Sequence, residues 1–302
     1  MGKTNCKEDP DKLYYSDKVE DIIKFYYCFD SIEELIEWMK SRPSAPINIV
    51  EKEGNSDIVF VIPTPNANDE LTQNLSKSLN GFHQIFVESS GKYFNYARSI
   101  NRGVKEALKY NPKWIIVSNN DIIIKDDINK LYQKLMEIDN KKYDAVIGAG
   151  GKYSFELCKF NILSNLAIFT KYKDKFKILK KFKVNYYIYQ YIKFFRIVCN
   201  TVMSVRNIAF FGEFTIISPK YIIENNLLFD ETYINGVEDV NLFLDIINRM
   251  KFSKIYLKLE HLSGQTLGVG DKRNIKGLIN MIYLNYKIKN KLINIRKMVI
   301  NL

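Results

Sequence analysis

Residues 114–127 read WIIVSNNDIIIKDD, and this stretch decides the fold. A run dominated by β-branched residues is interrupted by Ser118, Asn119, Asn120 and Asp121 and then resumes as three isoleucines. A buried strand does not carry two carboxamides and a carboxylate in its middle unless they are needed there. The stretch therefore predicts a strand whose polar interruption lies at a functional edge of a sheet.

Outward from this strand, the chain alternates short apolar runs with helical patterns. The predicted strands are 57–64, 82–88, 114–124 and 144–151, and the predicted helices between them are 69–79, 95–110 and 127–138. Such alternation is typical of βαβ units. We expect an α/β fold with a mostly parallel central sheet flanked by helices. Ligands of such sheets bind beyond the carboxyl ends of the strands.

Composition changes divide the chain into five segments. They are a helical N-terminal extension (1–55), a first half of the sheet (56–151), a basic aromatic insertion (152–206), a second half (207–270) and a C-terminal amphipathic helix (271–302). Within the first segment, Ser31 before Glu33 and Glu34 is a helix-capping pattern.

Size and cysteine usage limit the class of protein. The chain has 302 residues, of which 46% are hydrophobic and 26% charged, as in ordinary globular proteins. Its four cysteines are widely spaced, which argues against a zinc site or a disulfide framework and favours a reducing compartment. There is no apolar run long enough to span a membrane and no apolar signal core at the N-terminus, so we expect a cytoplasmic protein.

The net charge of +11 is unevenly distributed. Residues 171–196 contain nine Lys or Arg and one acid, interleaved with aromatic residues, and residues 277–302 contain five basic residues and no acid. Such segments suit nucleic acid or an anionic membrane surface, although a solvated face of a Lys-rich protein gives the same pattern. The last helix has one apolar stripe, which either covers the core or lies on a membrane: Leu278, Met281, Ile288, Leu292, Ile295 and Val299.

The opening motif has the chemistry of a cation site. A hard divalent cation bound to a diphosphate takes one or two carboxylates plus phosphate oxygens and water. Asp121 is sufficient to anchor such a cation, and Asn119 can hydrogen-bond a ribose or phosphate. An Asx turn at the end of a strand would give the same residues.

Two later positions carry compatible chemistry. Glu238 and Asp239 precede an apolar helical pattern, where the helix dipole favours ionised carboxylates able to act as a general base. His261 follows the strand-like run KIYLKLE, and a role as metal ligand with Asp121 is consistent with its position. The usual preference for acids at helix N-termini and a structural histidine are the alternatives.

Taken together, these elements resemble the GT-A fold glycosyltransferases, most closely family 2. The resemblance covers about residues 57–268 and rests on six stretches: IVFVIPTPN, IFVESSG, FNYARSINRGVKEAL, VSNNDI, FFGEFTIISPKYI and LLFDETYINGVEDVNLFL. Asn119 stands where the family's DxD motif has its first Asp, and His261 stands at the family's third metal-contacting position.

The resemblance implies a role for each matching residue. Pro63, Thr64, Glu88 and Arg98 would contact the nucleotide base, and Asn119 and Asn120 the ribose or diphosphate. Asp121 and His261 would hold Mn²⁺ or Mg²⁺. Asp239 would deprotonate the acceptor hydroxyl, with Glu238 beside it binding the acceptor. Segment 56–151 would bind the nucleotide sugar, and segment 207–270 would bind the acceptor.

The implied function is inverting, metal-dependent transfer from a UDP-, GDP- or dTDP-sugar to a hydroxyl of a glycan, lipid-linked or protein acceptor. We expect a cytoplasmic enzyme, with residues 171–196 or 277–302 as candidates for peripheral contact with an anionic membrane, and no nucleic-acid partner. A nucleotidyltransferase is disfavoured because PTPNANDE, after the first strand, lacks the glycine-rich basic loop of that class. The alternative of another class is a catalytically weak relative that binds nucleic acid or a membrane surface.

Overall fold

The structure, a computed structural model, describes residues 6–149, 173–184, 214–226, 228–239, 241–242, 251–262 and 270–290. The strands are β1 (Asn48–Lys52), β2 (Asn55–Thr64), β3 (Phe82–Glu88), β4 (Trp114–Ser118), β5 (Ile122–Ile124), β6 (Ala145–Ala149), β7 (Phe214–Ile217), β8 (Phe252–Tyr256) and β9 (Leu259–His261). The helices are α1 (Pro10–Tyr14), α2 (Val19–Tyr27), α3 (Ile32–Ser41), α4 (Glu70–Ser78), α5 (Tyr96–Ala107), α6 (Ile128–Glu137), α7 (Lys173–Lys181), α8 (Pro219–Asn225), α9 (Asp271–Lys276) and α10 (Leu278–Lys289).

Seven strands form one sheet in the order β1-β3-β2-β4-β7-β6-β8, and β5 pairs with β9 in a separate ribbon. The pairs β2–β3, β2–β4 and β6–β8 are parallel, whereas β1–β3, β4–β7 and β6–β7 are antiparallel. The predicted α/β class is confirmed. The sheet is mixed rather than mostly parallel, because β1 and β7 run against their neighbours.

Both faces of the central sheet are buried, as the continuous apolar runs of β2 and β4 predict. Val59 and Val61 of β2 point to the face covered by α5, and Phe60 points to the opposite face, where Leu131 and Leu135 of α6 pack. Successive side chains alternate between the two faces of a strand, so each run supplies both cores. The result is a three-layered arrangement with β4 near its centre.

Gly103 allows α5 to lie directly on the sheet. A Cβ at this position would be 2.5 Å from Val61 Cγ1 and 2.5 Å from Val87 Cγ2. Both side chains are fully buried and cannot move aside without disturbing the core. This close approach holds the N-terminal end of α5 at the edge where β2, β3 and β4 end.

The first, third and fifth segments pack together on one side of the molecule. Helix α7 contacts α2 and α10, α9 contacts α2, and α10 contacts α3. The first segment also contributes β1 to the sheet, so residue 55 is not a break in the fold. Ser31 caps α3 as predicted, with its Oγ accepting from Glu34 N–H at 3.1 Å.

Of the predicted apolar stripe of the last helix, only Leu278 and Met281 have side chains among those the structure describes, so the stripe as a whole stays a prediction. In α10, Met281 is only partly buried, while the following residues are all buried: Leu278, Ile279, Ile282, Tyr283 and Leu284. Within α7, Ile178 is buried, whereas Lys177 and Lys180 are exposed. The described part of the basic insertion thus has the arrangement of a solvated lysine face on a packed helix.

Cys6 and Cys28 form a disulfide, which corrects the interpretation of the cysteines. They are 22 positions apart, and their Cα atoms are separated by 4.7 Å. A long sequence separation does not prevent a bridge when helices return the chain to its start. Cysteine spacing therefore no longer supports a reducing compartment.

Among the described residues, no helix combines the length and apolarity needed to cross a membrane. Several sequence predictions concern residues outside the described ranges: the glycines at 150–151, most of 152–206, the helix expected after 240 and the stripe beyond 290.

Candidate functional site

Asp121 and His261, hereafter the strand-end pair, are brought together by the β5–β9 ribbon. Ile122 pairs with His261 in an antiparallel register, and Leu262 N–H donates to Asp121 O at 3.0 Å. These backbone bonds fix both residues just beyond the carboxyl end of β4. Asp121 Oδ1 consequently lies 3.0 Å from His261 Nε2, with the two side chains 6% and 10% exposed.

The contact within the strand-end pair is not an aligned hydrogen bond. Asp121 Oδ1 is buried and has no hydrogen-bond partner in the described part of the chain. A buried carboxylate oxygen without a partner is costly, and a native fold retains one chiefly where a ligand or ion satisfies it. A carboxylate oxygen and an imidazole nitrogen converging on one point fit a divalent cation.

Among the described residues, Asp121 and His261 supply only part of a coordination sphere. Across the described ranges, no group of three or more His, Cys, Asp or Glu side chains is placed to hold a metal ion. A two-residue set suits a cation that takes its remaining ligands from phosphate oxygens and water.

Asn119 is held by Tyr96, the first residue of α5. Tyr96 Oη donates to Asn119 Oδ1 at 2.6 Å, while Tyr96 N–H donates to Asn235 Oδ1 at 2.8 Å. Asn235 Nδ2 in turn donates to Phe94 O at 2.9 Å. A single residue of α5 thus connects the end of β4 to the loop that carries Glu238.

Asn120 faces inward. It is buried, and its Nδ2 donates to Thr72 Oγ1 at 3.2 Å and to Thr64 Oγ1 at 3.4 Å. Thr64 also donates to Asp69 Oδ2 at 3.1 Å, and Asp69 caps α4. In this conformation Thr64 and Asn120 join the ends of β2 and β4 to α4, and their contact with a nucleotide stays a prediction.

Glu88 shapes the loop after β2. Its Oε1 accepts from Ala67 N–H at 2.8 Å and its Oε2 from Asn48 Nδ2 at 2.7 Å, which together hold the pKa of Glu88 below its usual range. Pro63 is buried in β2. Arg98 Nη1 donates to Ala45 O at 3.0 Å, which anchors the guanidinium on the segment that leads into β1. Nucleotide contacts by these three residues also stay predictions.

Residues 228–239, hereafter the carboxylate loop, are clamped to α5 by the carboxamides of buried Asn101 and of partly buried Asn95. Asn101 Nδ2 donates to Phe229 O at 2.8 Å and to Glu231 Oε1 at 2.9 Å, and its Oδ1 accepts from the N–H groups of Leu228 and Phe229. Asn95 Nδ2 donates to the carbonyls of Glu231 and Tyr233, both at 2.9 Å. The Asn280 side chain of α10 also accepts from Ile234 N–H at 2.8 Å and donates to Ile234 O at 2.9 Å, so α5 and α10 together position the loop.

The carboxylate loop ends in strained backbone directly before its two acids. Asn235 has φ 50° and Val237 has φ 73°. A positive φ at a β-branched residue costs on the order of 1–3 kcal/mol and persists only where surrounding contacts impose it. Such strain is found preferentially at functional sites.

Glu238 and Asp239 have different environments. Glu238 is 6% exposed, and its Oε2 accepts from Gly236 N–H at 2.6 Å. Burial first, and then the negative charge of Asp239, raise the pKa of Glu238 to about 8. Both effects favour the neutral form of Glu238 over its charged form.

Sequence reasoning did not identify Tyr96, Asn101 or Asn235 as functional residues. Their contacts join positions more than 120 residues apart. The one signal in the sequence is the density of carboxamides in FNYARSIN and in TYING, where asparagines stand among apolar residues.

Comparisons with known proteins assign no role to this site. The sequence matches no protein-family model and no curated protein. The structure is similar to one described as "Crystal Structure of A197 from STIV", with a TM-score of 0.37 and 11% identity over 71% of this chain and 86% of that chain. Similarity at this level assigns neither a family nor an activity.

Proposed function

We propose that the protein is a GT-A-type, metal-dependent inverting glycosyltransferase that uses a nucleoside-diphosphate sugar. The observation that carries the proposal is the strand-end pair, in which a buried Asp121 oxygen that accepts no hydrogen bond from the described residues lies 3.0 Å from His261 Nε2 beyond the end of a parallel strand. Open α/β sheets bind nucleotides at this edge.

The donor lies along the ends of β2, β3 and β4 in this proposal. Pro63, Thr64, Glu88 and Arg98 surround the base, and Asn119 and Asn120 contact the ribose or diphosphate. Because Tyr96 occupies Asn119 Oδ1, the free donor of Asn119 is its Nδ2, which suits a phosphate or ribose oxygen.

The strand-end pair holds the divalent cation, which when bound neutralises the charge of the leaving diphosphate. One imidazole ligand favours Mn²⁺ over Mg²⁺, since Mg²⁺ prefers an all-oxygen shell.

Asp239 is the general base. As the acceptor oxygen bonds to the anomeric carbon from the face opposite the diphosphate, the bond from that carbon to the phosphate oxygen breaks and the hydroxyl proton passes to Asp239. The high pKa of Glu238 separates the roles of the two acids, because a neutral Glu238 can donate a hydrogen bond to the acceptor while Asp239 stays ionised.

The acceptor is a hydroxyl of a glycan, a lipid-linked saccharide or a protein. We place the reaction in the cytoplasm, with residues 171–196 or 277–302 as candidates for contact with an anionic membrane surface. No nucleic acid takes part.

The proposal is tested by measuring release of UDP, GDP or dTDP from a panel of sugar nucleotides with Mn²⁺ or Mg²⁺. Turnover should require the metal and should fall in Asp121→Ala and in Asp239→Asn. Glu137→Gln, which removes an exposed acid from α6, is the matched control and should retain turnover. Wild-type turnover in both site variants would refute the proposal.

The competing function, a nucleic-acid or membrane-surface binding module, gives the opposite result in the same preparation. It would show salt-dependent binding of RNA, DNA or anionic vesicles, with no sugar-nucleotide binding at any metal concentration.

A further inference from the structure

A second candidate site lies around the ring of Tyr15, away from the strand-end pair. Three cations from distant parts of the chain face this ring: Arg42 Cζ at 5.5 Å, Lys92 Nζ at 4.9 Å and Lys276 Nζ at 5.7 Å from its centroid. They come from the segment after α3, the loop after β3 and the last residue of α9. Tertiary folding, rather than one basic run of sequence, has assembled this cluster.

Hydrogen bonds fix the backbone segments that carry these three cations. Ala45 N–H donates to Tyr93 O at 3.1 Å, which fixes the segment of Arg42 against the loop of Lys92. Tyr26 Oη donates to Ile275 O at 2.6 Å and to Lys276 O at 3.2 Å, which fixes the end of α9. The fold therefore fixes the backbone segments from which the cations extend.

The positive charge of the cluster is only partly compensated. Lys92 pairs with Asp11 at 3.3 Å, whereas Arg42 and Lys276 face aromatic rings. A cation–π contact contributes only about 0.5–1 kcal/mol at an exposed site. Each cation lies within 5.7 Å of the Tyr15 ring centroid, so the distances between the cations are of the order of the ~8 Å Debye length at physiological ionic strength. The three like charges therefore repel one another.

Two further observations indicate a missing anion. Arg42 Nε is buried without a hydrogen-bond partner among the described residues, although a guanidinium N–H in that environment normally has one. Lys276 adds a partly desolvated ammonium: burial and then the positive charge of Lys272 lower its pKa, while the charge of Asp17 acts in the opposite direction.

We propose that Arg42, Lys92 and Lys276 form a binding site for a phosphoryl group, separate from the strand-end pair. Arg42 presents a planar donor fork suited to phosphate oxygens, and the two lysines supply point charges. Tyr15 and Tyr93 form its apolar side. The inference rests on this cluster alone and does not depend on the proposed glycosyl transfer.

Calorimetric titration with inorganic pyrophosphate and with phosphate, at low salt and in EDTA, tests this site. EDTA removes the divalent cation that the strand-end pair would need, so binding there does not contribute. We expect saturable binding that weakens about 10-fold in Arg42→Gln and in Lys276→Gln. Arg42→Lys keeps the charge and loses the fork, so its affinity should lie between wild type and Arg42→Gln.

Controls separate this site from general surface charge and from misfolding. Lys105→Gln removes an exposed lysine of α5 and should bind as wild type does, as should Asp121→Ala. Each variant is compared by its thermal midpoint without ligand. Binding of phosphatidic acid vesicles but not of free pyrophosphate would identify the phosphoryl source as a lipid headgroup.

The proposal is overturned if neither free anions nor phosphatidic acid vesicles bind. It is also overturned if Arg42→Gln and Lys276→Gln both bind within twofold of wild type.

Discussion

The strand-end pair and the carboxylate loop are positioned by different physical means. Asp121 and His261 are set by strand register, since the β5–β9 ribbon pairs Ile122 with His261 and bonds Leu262 N–H to Asp121 O. Glu238 and Asp239 are set by side-chain clamps from α5 and by backbone with positive φ. In the first region, backbone hydrogen bonds between two strands fix the positions of both residues. The second is held in a conformation that it would not adopt alone, so it should be the more sensitive to changes at a distance.

Removing a member of the strand-end pair should give the largest effect. Asp121→Ala or His261→Ala deletes one of two protein groups facing the cation, and we expect diphosphate release to fall by about 100-fold or more with little loss of stability. Steady-state turnover, with the urea midpoint measured in parallel, checks this. An equal loss in Glu137→Gln would show that the assay reports general damage.

Glu238 of the carboxylate loop should make the free energy of unfolding depend on pH. Between the ordinary pKa of 4.5 and about 8, folded Glu238 retains a proton that the unfolded chain has released. The free energy of unfolding should therefore fall as pH rises through this window, by up to about 1.4 kcal/mol per pH unit. Glu238→Gln does not titrate, so its stability relative to wild type should improve from pH 5 to pH 8.

Urea denaturation of Glu238→Gln at pH 5, 6.5 and 8 measures this difference. Glu137→Gln, an exposed glutamate, should follow the wild-type pH dependence. If Glu238→Gln also followed it, Glu238 would be ionised in the folded protein and could not be the neutral partner of Asp239.

Removing the Asn101 side chain tests whether the carboxylate loop is held in place by α5. Asn101→Ala removes the partner of four groups in the loop, three of them buried, and it should lower the free energy of unfolding by about 2–3 kcal/mol. Asn74→Ala, an exposed asparagine on α4, should change it by less than about 0.5 kcal/mol. Chemical denaturation distinguishes the two, and equal midpoints would remove Asn101 as the clamp.

The smallest effect should come from Tyr96, which connects the end of β4 to the carboxylate loop. Tyr96→Phe removes only the hydroxyl that holds Asn119. We expect KM for the sugar nucleotide to rise about fivefold, stability to fall by about 1 kcal/mol and kcat to change little. Tyr27→Phe, an exposed tyrosine of α2, is the control. A fall in kcat without a change in KM would place Tyr96 in the chemical step instead.

The sequence was informative where structure is local. Residues 82–88 were predicted as a strand and are β3, and the helices α4 and α6 lie within a residue or so of their predicted bounds. The break at Ser118–Asp121 is also real, since β4 ends there and β5 begins after it. These features follow from hydrophobic periodicity and turn chemistry.

Contacts between residues far apart in the chain could not be predicted from the sequence. Hydrophobic periodicity predicted neither strand β1 at the sheet edge nor the Cys6–Cys28 disulfide. The four hydrogen bonds of Asn101 depend on residues about 130 positions away. Helical spacing predicted an apolar stripe on the last helix, and packing also buries Ile279 and Ile282 of α10, which the stripe did not include.

The central claim is that Asp121 and His261 hold a divalent cation, and the most direct test is Mn²⁺ binding followed by electron paramagnetic resonance in the presence of UDP, GDP or dTDP. The account predicts that the wild-type chain binds one Mn²⁺ with at least one of these nucleotides. Asp121→Asn, of nearly the same size, should bind it at least 10-fold more weakly. Equal Mn²⁺ affinity in wild type and Asp121→Asn would contradict the account.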